Sequence, residues 1–187
     1  MNVTPEQIGR YRDYLLILAR SHLWSGLQRK VDASDVVQET LLEAGRSLVD
    51  FHGASTAELA AWLRRILANN IADLHRDFHR QKRNVKREVS LEAAVHSSAL
   101  RLDRLLAADQ SSPSAALQRA EVSFAICTAI ATLPEEQQRA LLLRHCEELT
   151  LEQIAERLSV SRQTVVRLIR RGLSALRERI AQNESSL

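Results

Sequence analysis

Turn-forming residues are scarce in this 187-residue chain, which has five glycines and three prolines. An all-β fold reverses direction at every strand end and draws on such residues to do so, so a strand-rich architecture is excluded. Cysteine is also rare. Cys127 and Cys146 are too few for a disulfide framework or for a zinc site of their own, and they read as buried thiols. No apolar run approaches the roughly 18 residues of a membrane-spanning helix. The first ten residues lack the basic stretch and apolar core of a secretory signal, so the expected location is cytoplasmic. The chain is instead rich in Ala, Leu, Arg, Glu and Gln, all good helix formers. Its 45% apolar and 26% charged residues match a soluble globular protein. The expected fold class is all-α.

The net charge of +3 hides an uneven distribution. Between Arg64 and Arg87 lie eight Lys or Arg and two acids, Asp73 and Asp77. Between Arg162 and Arg179 lie six Arg and one acid, Glu178. Acids gather elsewhere, at Asp32, Asp35, Glu39 and Glu43 and at Glu135 and Glu136. Two separated basic segments, each on an expected helix, point to two contacts with a polyanion.

Apolar periodicity outlines the helices. One runs from about Ile8 to Leu23, with Pro5 and Glu6 at its start and Gly26 as its stop. A second, capped by Asp32 or Ser34, carries Val36, Val37, Leu41, Leu42 and Leu48. His52-Gly53 breaks the chain. Ser55 or Thr56 then caps a third helix through Leu59, Trp62, Leu63, Ile66, Leu67, Ile71 and Leu74, reaching about Lys82. The stretch 85–118 reads as a linker, with a short helix around Leu100 to Leu106 and a Ser- and Pro-rich tip at 109–114. A helix over about Ala120 to Ala131 follows, with Val122, Ala125, Ile126 and Ile130 on one face. Another begins at Pro134, with Glu135 and Glu136 at its positive end.

Residues 150–171, TLEQIAERLSVSRQTVVRLIRR, carry the most specific signal. Thr150 and Gln153 fit a capping box. Ile154, Ala155 and Leu158 share one face of a short helix. Ser159-Val160 makes a turn, with Val160 expected to plug the corner. Ser161 caps a second helix whose inner face is Val165, Leu168 and Ile169. This is a helix-turn-helix, spanning about Leu133 to Ile180 and suited to double-stranded DNA. Its outer face offers Arg162, Gln163, Thr164, Arg167, Arg170 and Arg171. Arg and Gln pair bidentately with guanine and adenine edges in the major groove. Ser161 and Thr164 are placed to meet phosphate.

These residues resemble the C-terminal promoter-binding domain of bacterial sigma factors of the sigma-70 family, specifically the extracytoplasmic-function (ECF) group. Two further stretches add to the resemblance. Asp32-Ala-Ser-Asp35-Val-Val-Gln38-Glu39-Thr40 is similar to the family's polymerase-docking signature, and Trp62 through Asp73 to its −10-reading helix. The resemblance implies two small helical domains joined by a linker: 1–84 for core docking and −10 recognition, 85–118 as the linker, and 119–187 for −35 recognition. It implies that Asp35, Gln38, Glu39 and Leu42 meet the clamp helices of the polymerase's largest subunit. It also implies that the loop His52 to Thr56, with His52, Ser55 and Thr56, receives a flipped −10 base. Asn69, Asn70, Asp73, Arg76 and Arg80 then face the −10 element. The implied partners are RNA polymerase core, including the flap of the second-largest subunit, promoter DNA and an anti-sigma factor. The third helix offers only Trp62 and Phe78 as aromatics, which fits a group that melts DNA weakly and demands stricter promoters. Promoter elements about 17 base pairs apart are separated by roughly 58 Å, and a linker of this length extends to about 110 Å.

The rival reading is a stand-alone helix-turn-helix regulator, but its effector-binding half would need an α/β sheet that the pattern does not offer. An enzyme is not expected, because the chain has no glycine-rich phosphate loop and no nucleophile elbow. His75 and His79 lie one helical turn apart. His75 is not followed by Glu, however, and no third ligand is evident, so neither metal nor cofactor is expected.

Overall fold

The computed structural model describes residues 3–23, 31–78, 85–103 and 115–184. No strand occurs among the described residues. The helices are α1 (Pro5–Gly9), α2 (Arg12–Leu23), α3 (Ala33–Arg46), α4 (Thr56–Phe78), α5 (Val85–Asp103), α6 (Ala115–Ala131), α7 (Glu135–His145), α8 (Leu151–Leu158) and α9 (Arg162–Glu184). A single 3-10 turn, Leu48–Asp50, follows α3.

The first expected helix is two. Thr4 and Gln7 form a capping box on α1, and the chain breaks after Gly9. Glycine weakens a helix interior, and the break lets Ile8 bury from α1 while α2 buries Tyr14 through Ala19 without interruption. A helix apolar on every side belongs at the centre of a fold, and α2 packs against α3, α4, α5 and α6. The Tyr14 hydroxyl within this core accepts a hydrogen bond from Arg64 Nη1 at 2.6 Å.

The interval read as a linker carries α5. Val95, Ala99 and Leu102 recur at helical spacing and are fully buried or nearly so, as is Ser98. The Ser- and Pro-rich tip and the stop assigned to Gly26 lie outside the described residues.

Helix α6 joins the two halves. It packs on α2, α4 and α5 from one side and on α9 from the other. This explains why Cys127 and Ala129 are buried along with the expected Ile126 and Ile130. One apolar cluster therefore runs from Ile8 through Leu63 and Ile130 to Leu141 and Leu176. Tyr11 meets Phe124 edge-on at 5.1 Å. Arg20 Nη1 donates to Gln138 Oε1. Gln138 in turn donates to the carbonyls of Ala131 and Leu133, at 3.1 and 2.7 Å, and so fixes the α6–α7 turn. Arg101 Nη1 donates to the Cys146 carbonyl at 2.6 Å and sits 3.6 Å from Glu148.

Candidate nucleic-acid interface

Helix α8 starts as the Thr150/Gln153 spacing predicts. Gln153 N–H donates to Thr150 Oγ1 at 3.2 Å, and Thr150 N–H donates to Gln153 Oε1 at 2.8 Å. It ends at Ser159, whose left-handed backbone (φ 54°) lets Val160 N–H return to the Ala155 carbonyl at 3.0 Å. Ser161 Oγ then accepts from Thr164 N–H at 3.1 Å and pairs with Thr164 Oγ1 at 2.9 Å. Leu143, Ile154 and Val165 form a small core between α7, α8 and α9. Val160 does not plug this corner. It remains 37% exposed, because the left-handed residue before it turns the side chain outward while Leu149, Leu151, Ala155 and Leu158 line the crossing instead. A side chain at Gly172 would approach Leu141 Cδ1 to 2.8 Å, so glycine permits the close crossing of α7 and α9.

The outer residues Gln163, Arg167, Arg170 and Arg171 of α9 are exposed on one broad face. Gln163, Arg167 and Arg171 step at four-residue intervals along one exposed stripe. Arg170, exposed and seven residues from Gln163, lies at the edge of this stripe and also lines a groove of about 490 Å³ with Val166, Leu173, His145 and Arg177. Arg162 is exposed and donates from Nε to Glu152 Oε1 at 2.7 Å. That bond and the Glu152 backbone hold the Glu152 carboxyl below the usual carboxylate range, the backbone hydrogen bond being the larger cause. Ser161 and Thr164 are engaged with each other at the cap. A phosphate at this cap would meet the first-turn N–H groups of Arg162 and Gln163, since those of Thr164 and Val165 are taken by Ser161.

The second surface is on α4. Asn69, Asp73 and Arg76 are exposed and lie on one stripe, with Asp73 and Arg76 joined as an ion pair. Asn70 departs from this set. It is half-buried, and its Nδ2 donates to Thr40 Oγ1 at 3.1 Å, because one residue further on turns it about 100° toward α3. Arg65, exposed one turn before Asn69, joins the stripe. Its signal was the four-residue spacing to Asn69. Arg80 and His79 lie outside the described residues.

The loop before α4 is firmly built. Ser55 caps the helix, with Glu58 N–H donating to Ser55 Oγ at 3.2 Å. Glu58 Oε2 accepts from Ala54 N–H at 2.7 Å and from Ser55 N–H at 3.1 Å, and these bonds pull its carboxyl below its ordinary value. A side chain on Gly53 would overlap the Phe51 ring, which packs on Trp62 at 5.1 Å. His52 is exposed, its Nδ1 2.8 Å from the Asp50 carbonyl. Thr56 is exposed, and its carbonyl lies 3.4 Å from the Tyr11 hydroxyl.

On α3, capped by Asp32 through Ser34 N–H at 2.8 Å, the residues Val36, Val37, Thr40 and Ala44 turn inward. Asp35, Gln38, Glu39 and Leu42 share the outward face, and Leu42 is 47% exposed. The cysteines are both buried. Burial pushes the Cys146 thiol up to about 12, which makes it inert. Burial also lowers the His145 pKa and raises that of Glu147, the latter eased by Arg157 at 3.5 Å. No group of three or more potential metal ligands occurs among the described residues, and no described helix is long and apolar enough to cross a membrane.

Comparison with known proteins matches the two segments that carry these surfaces. Residues 8–82 match the family description "Sigma-70 region 2", and residues 129–178 match "Sigma-70, region 4". The chain is 29% identical over 149 residues to the "ECF RNA polymerase sigma factor SigW" of Bacillus subtilis (strain 168), across 80% of this chain and 75% of that protein. With α3, α4 and their loop inside the first match and the helix-turn-helix inside the second, the chain belongs to the sigma-70 family of RNA polymerase sigma factors, in its extracytoplasmic-function group.

Proposed function

We propose that this sigma factor docks on RNA polymerase core through the outer face of α3, reads the −10 element with α4 and its preceding loop, and reads the −35 element with α9. As a promoter-directing factor of the sigma-70 family it acts in transcription initiation with polymerase core and promoter DNA. The observation that carries the finer reading is the outward stripe Gln163, Arg167 and Arg171 on the second helix of a helix-turn-helix. Arginine and glutamine there match the donor and acceptor pattern of base edges in the major groove. Arg162 joins them at the tip of the helix, the Ser161–Thr164 cap presents N–H groups to phosphate, and Arg170 bridges this face and the groove beside it.

Asn69, Asp73, Arg76 and Arg65 form the −10 stripe, Arg80 is expected to act on the same element, and His52, Ser55 and Thr56 frame the flipped-base loop. Asn70 supports that stripe from behind through Thr40. The acids Asp35 and Glu39, with Gln38 and the exposed Leu42, supply an acidic and apolar face for the clamp helices of the largest subunit. The groove beside α9, apolar at Val166 and Leu173, suits the flap of the second-largest subunit. An anti-sigma factor would compete for these same faces, and the protein would work in the cytoplasm. The stand-alone regulator reading leaves the region 2 match without a role.

Run-off transcription with purified core enzyme tests the reading. Promoter-dependent products are expected, and their absence from every genomic fragment would reject it. Asp35→Arg combined with Glu39→Arg should abolish co-purification with core polymerase while leaving the helical circular dichroism signal and Tm intact, since both side chains point to solvent.

A further inference from the structure

The recognition helix begins on an ion pair that folding does not require. Arg162 is the first residue of α9, and its Nε donates to Glu152 Oε1 at 2.7 Å, closing across the turn between the two helices. Both side chains are largely exposed, 62% and 66%, and such pairs add little to stability. The motif is already closed without them. Leu143, Ile154 and Val165 form its core, and the Thr150–Gln153 and Ser161–Thr164 bonds satisfy its helix ends. A carboxylate beside a DNA-reading guanidinium also repels phosphate, so it lowers affinity for any duplex.

A guanidinium held at Nε keeps its plane, with the two terminal nitrogens left as a free fork. That fork matches the O6 and N7 acceptors of guanine. An unrestrained Arg at the same position would swing to the nearest phosphate, which carries no sequence information. We propose that Glu152 is a positioning residue for promoter recognition: it holds Arg162 toward the base edges and keeps it off the phosphate backbone. The inference rests on α9 being the −35 reader.

The role has a signature that a structural role lacks, because specific and nonspecific binding move in opposite directions. Full-length wild type, E152A, E152Q, R162A and the E152A/R162A double variant are compared in two assays. One is binding to a mixed-sequence duplex over a range of salt. The other is promoter selection by reconstituted holoenzyme from a library randomised through the upstream element. E152A should bind the mixed duplex several-fold tighter. Its salt dependence should steepen by about 0.9 in log–log slope, the value for one added phosphate contact. Base preference at one position should fall about tenfold, as for loss of one bidentate pair. E152Q keeps a carbonyl acceptor for Nε but removes the charge. It should hold the base preference while the mixed-duplex affinity still rises. R162A should lose the same base preference, and adding E152A to it should change that preference no further.

A parallel fall of both affinities in E152A would show a structural role and overturn the proposal, as would no change in either. If R162A leaves base preference intact while holoenzyme still selects promoters through α9, the proposal fails and the −35 reading stands. If the wild type itself shows no selection in the upstream element, the −35 reading fails and takes the proposal with it.

Discussion

Helices α4 and α9 are both 23 residues long, and each carries one of the two surfaces proposed to face DNA, yet they are anchored differently. Helix α4 buries Leu59, Ala60, Leu63, Ile66, Leu67, Ala68, Ile71 and Ala72 in the main core. One residue of its polar side is recruited into that packing, Asn70 bonded to Thr40. Among its described side chains, helix α9 buries only Val165, Gly172 and Leu176, and its Gln163, Arg167 and Arg171 face solvent. A reading face on a deeply anchored helix is held rigid and has fewer free polar groups. One on a lightly anchored helix is open along its length, and its orientation depends on a few buried contacts.

The contrast is tested most strongly in the cores. Leu63→Ala should cost about 2–5 kcal/mol and unfold both halves together, because Leu63 belongs to the cluster that α6 carries across the molecule. Val165→Ala should cost about 1–2 kcal/mol and loosen mainly α8 and the start of α9. Hydrogen exchange read helix by helix separates the two outcomes, and equal loss of protection in α4 and α8 for both variants would break the comparison.

The next effect concerns binding. Arg167→Ala should weaken −35 binding by about 1–3 kcal/mol and relax preference at one or two bases, with Tm unchanged because the side chain is exposed. An unaltered base preference in a promoter-selection assay would remove Arg167 from the reading face.

Within α4, two neighbours should behave oppositely. Asn70→Ala should cost stability of about 1 kcal/mol, the worth of one hydrogen bond, and leave −10 preference in place. Asn69→Ala should leave stability in place and alter −10 preference. Chemical denaturation and run-off assays on −10 variants check both, and identical behaviour would mean that the two residues share a face after all.

The smallest effect is local and set by pH. The Ala54 and Ser55 donors hold the Glu58 carboxyl below its ordinary value. A depressed carboxylate pKa contributes stability above the unfolded value, which is lost as pH falls through the folded one. The 52–56 loop should therefore stay ordered at neutral pH and loosen only below the ordinary carboxylate range. The Ala54 and Ser55 amide shifts should follow that titration by NMR, and Glu58→Gln should flatten it.

The helices, their caps and the helix-turn-helix were legible in local patterns. Thr150 and Gln153 announce a capping box by spacing alone, and Ile154, Val165 and Ile169 announce two crossing helices. Val160 was misjudged, because an apolar residue in a turn is turned in or out by the backbone of its neighbour, here the left-handed Ser159. The α5 helix lay inside the interval read as a linker, although Val95, Ala99 and Leu102 recur there at helical spacing.

The sequence by itself determined that this chain is helical, that it carries two basic helices and one acidic helix, and that these fall in the order of a sigma factor. Those properties follow from residue propensity, periodicity and motif spacing, which act within a few turns of chain. The tertiary structure alone decided which polar side chains on those helices face outward. It turned Asn70 inward beside an exposed Asn69, set Arg170 at the rim of a groove, and set Glu152 against Arg162. It also joined the halves through α6, with Arg20 meeting Gln138 across 118 residues of chain. A helical period specifies a face only to within the width of a side chain, and what covers that face is set by segments distant in sequence.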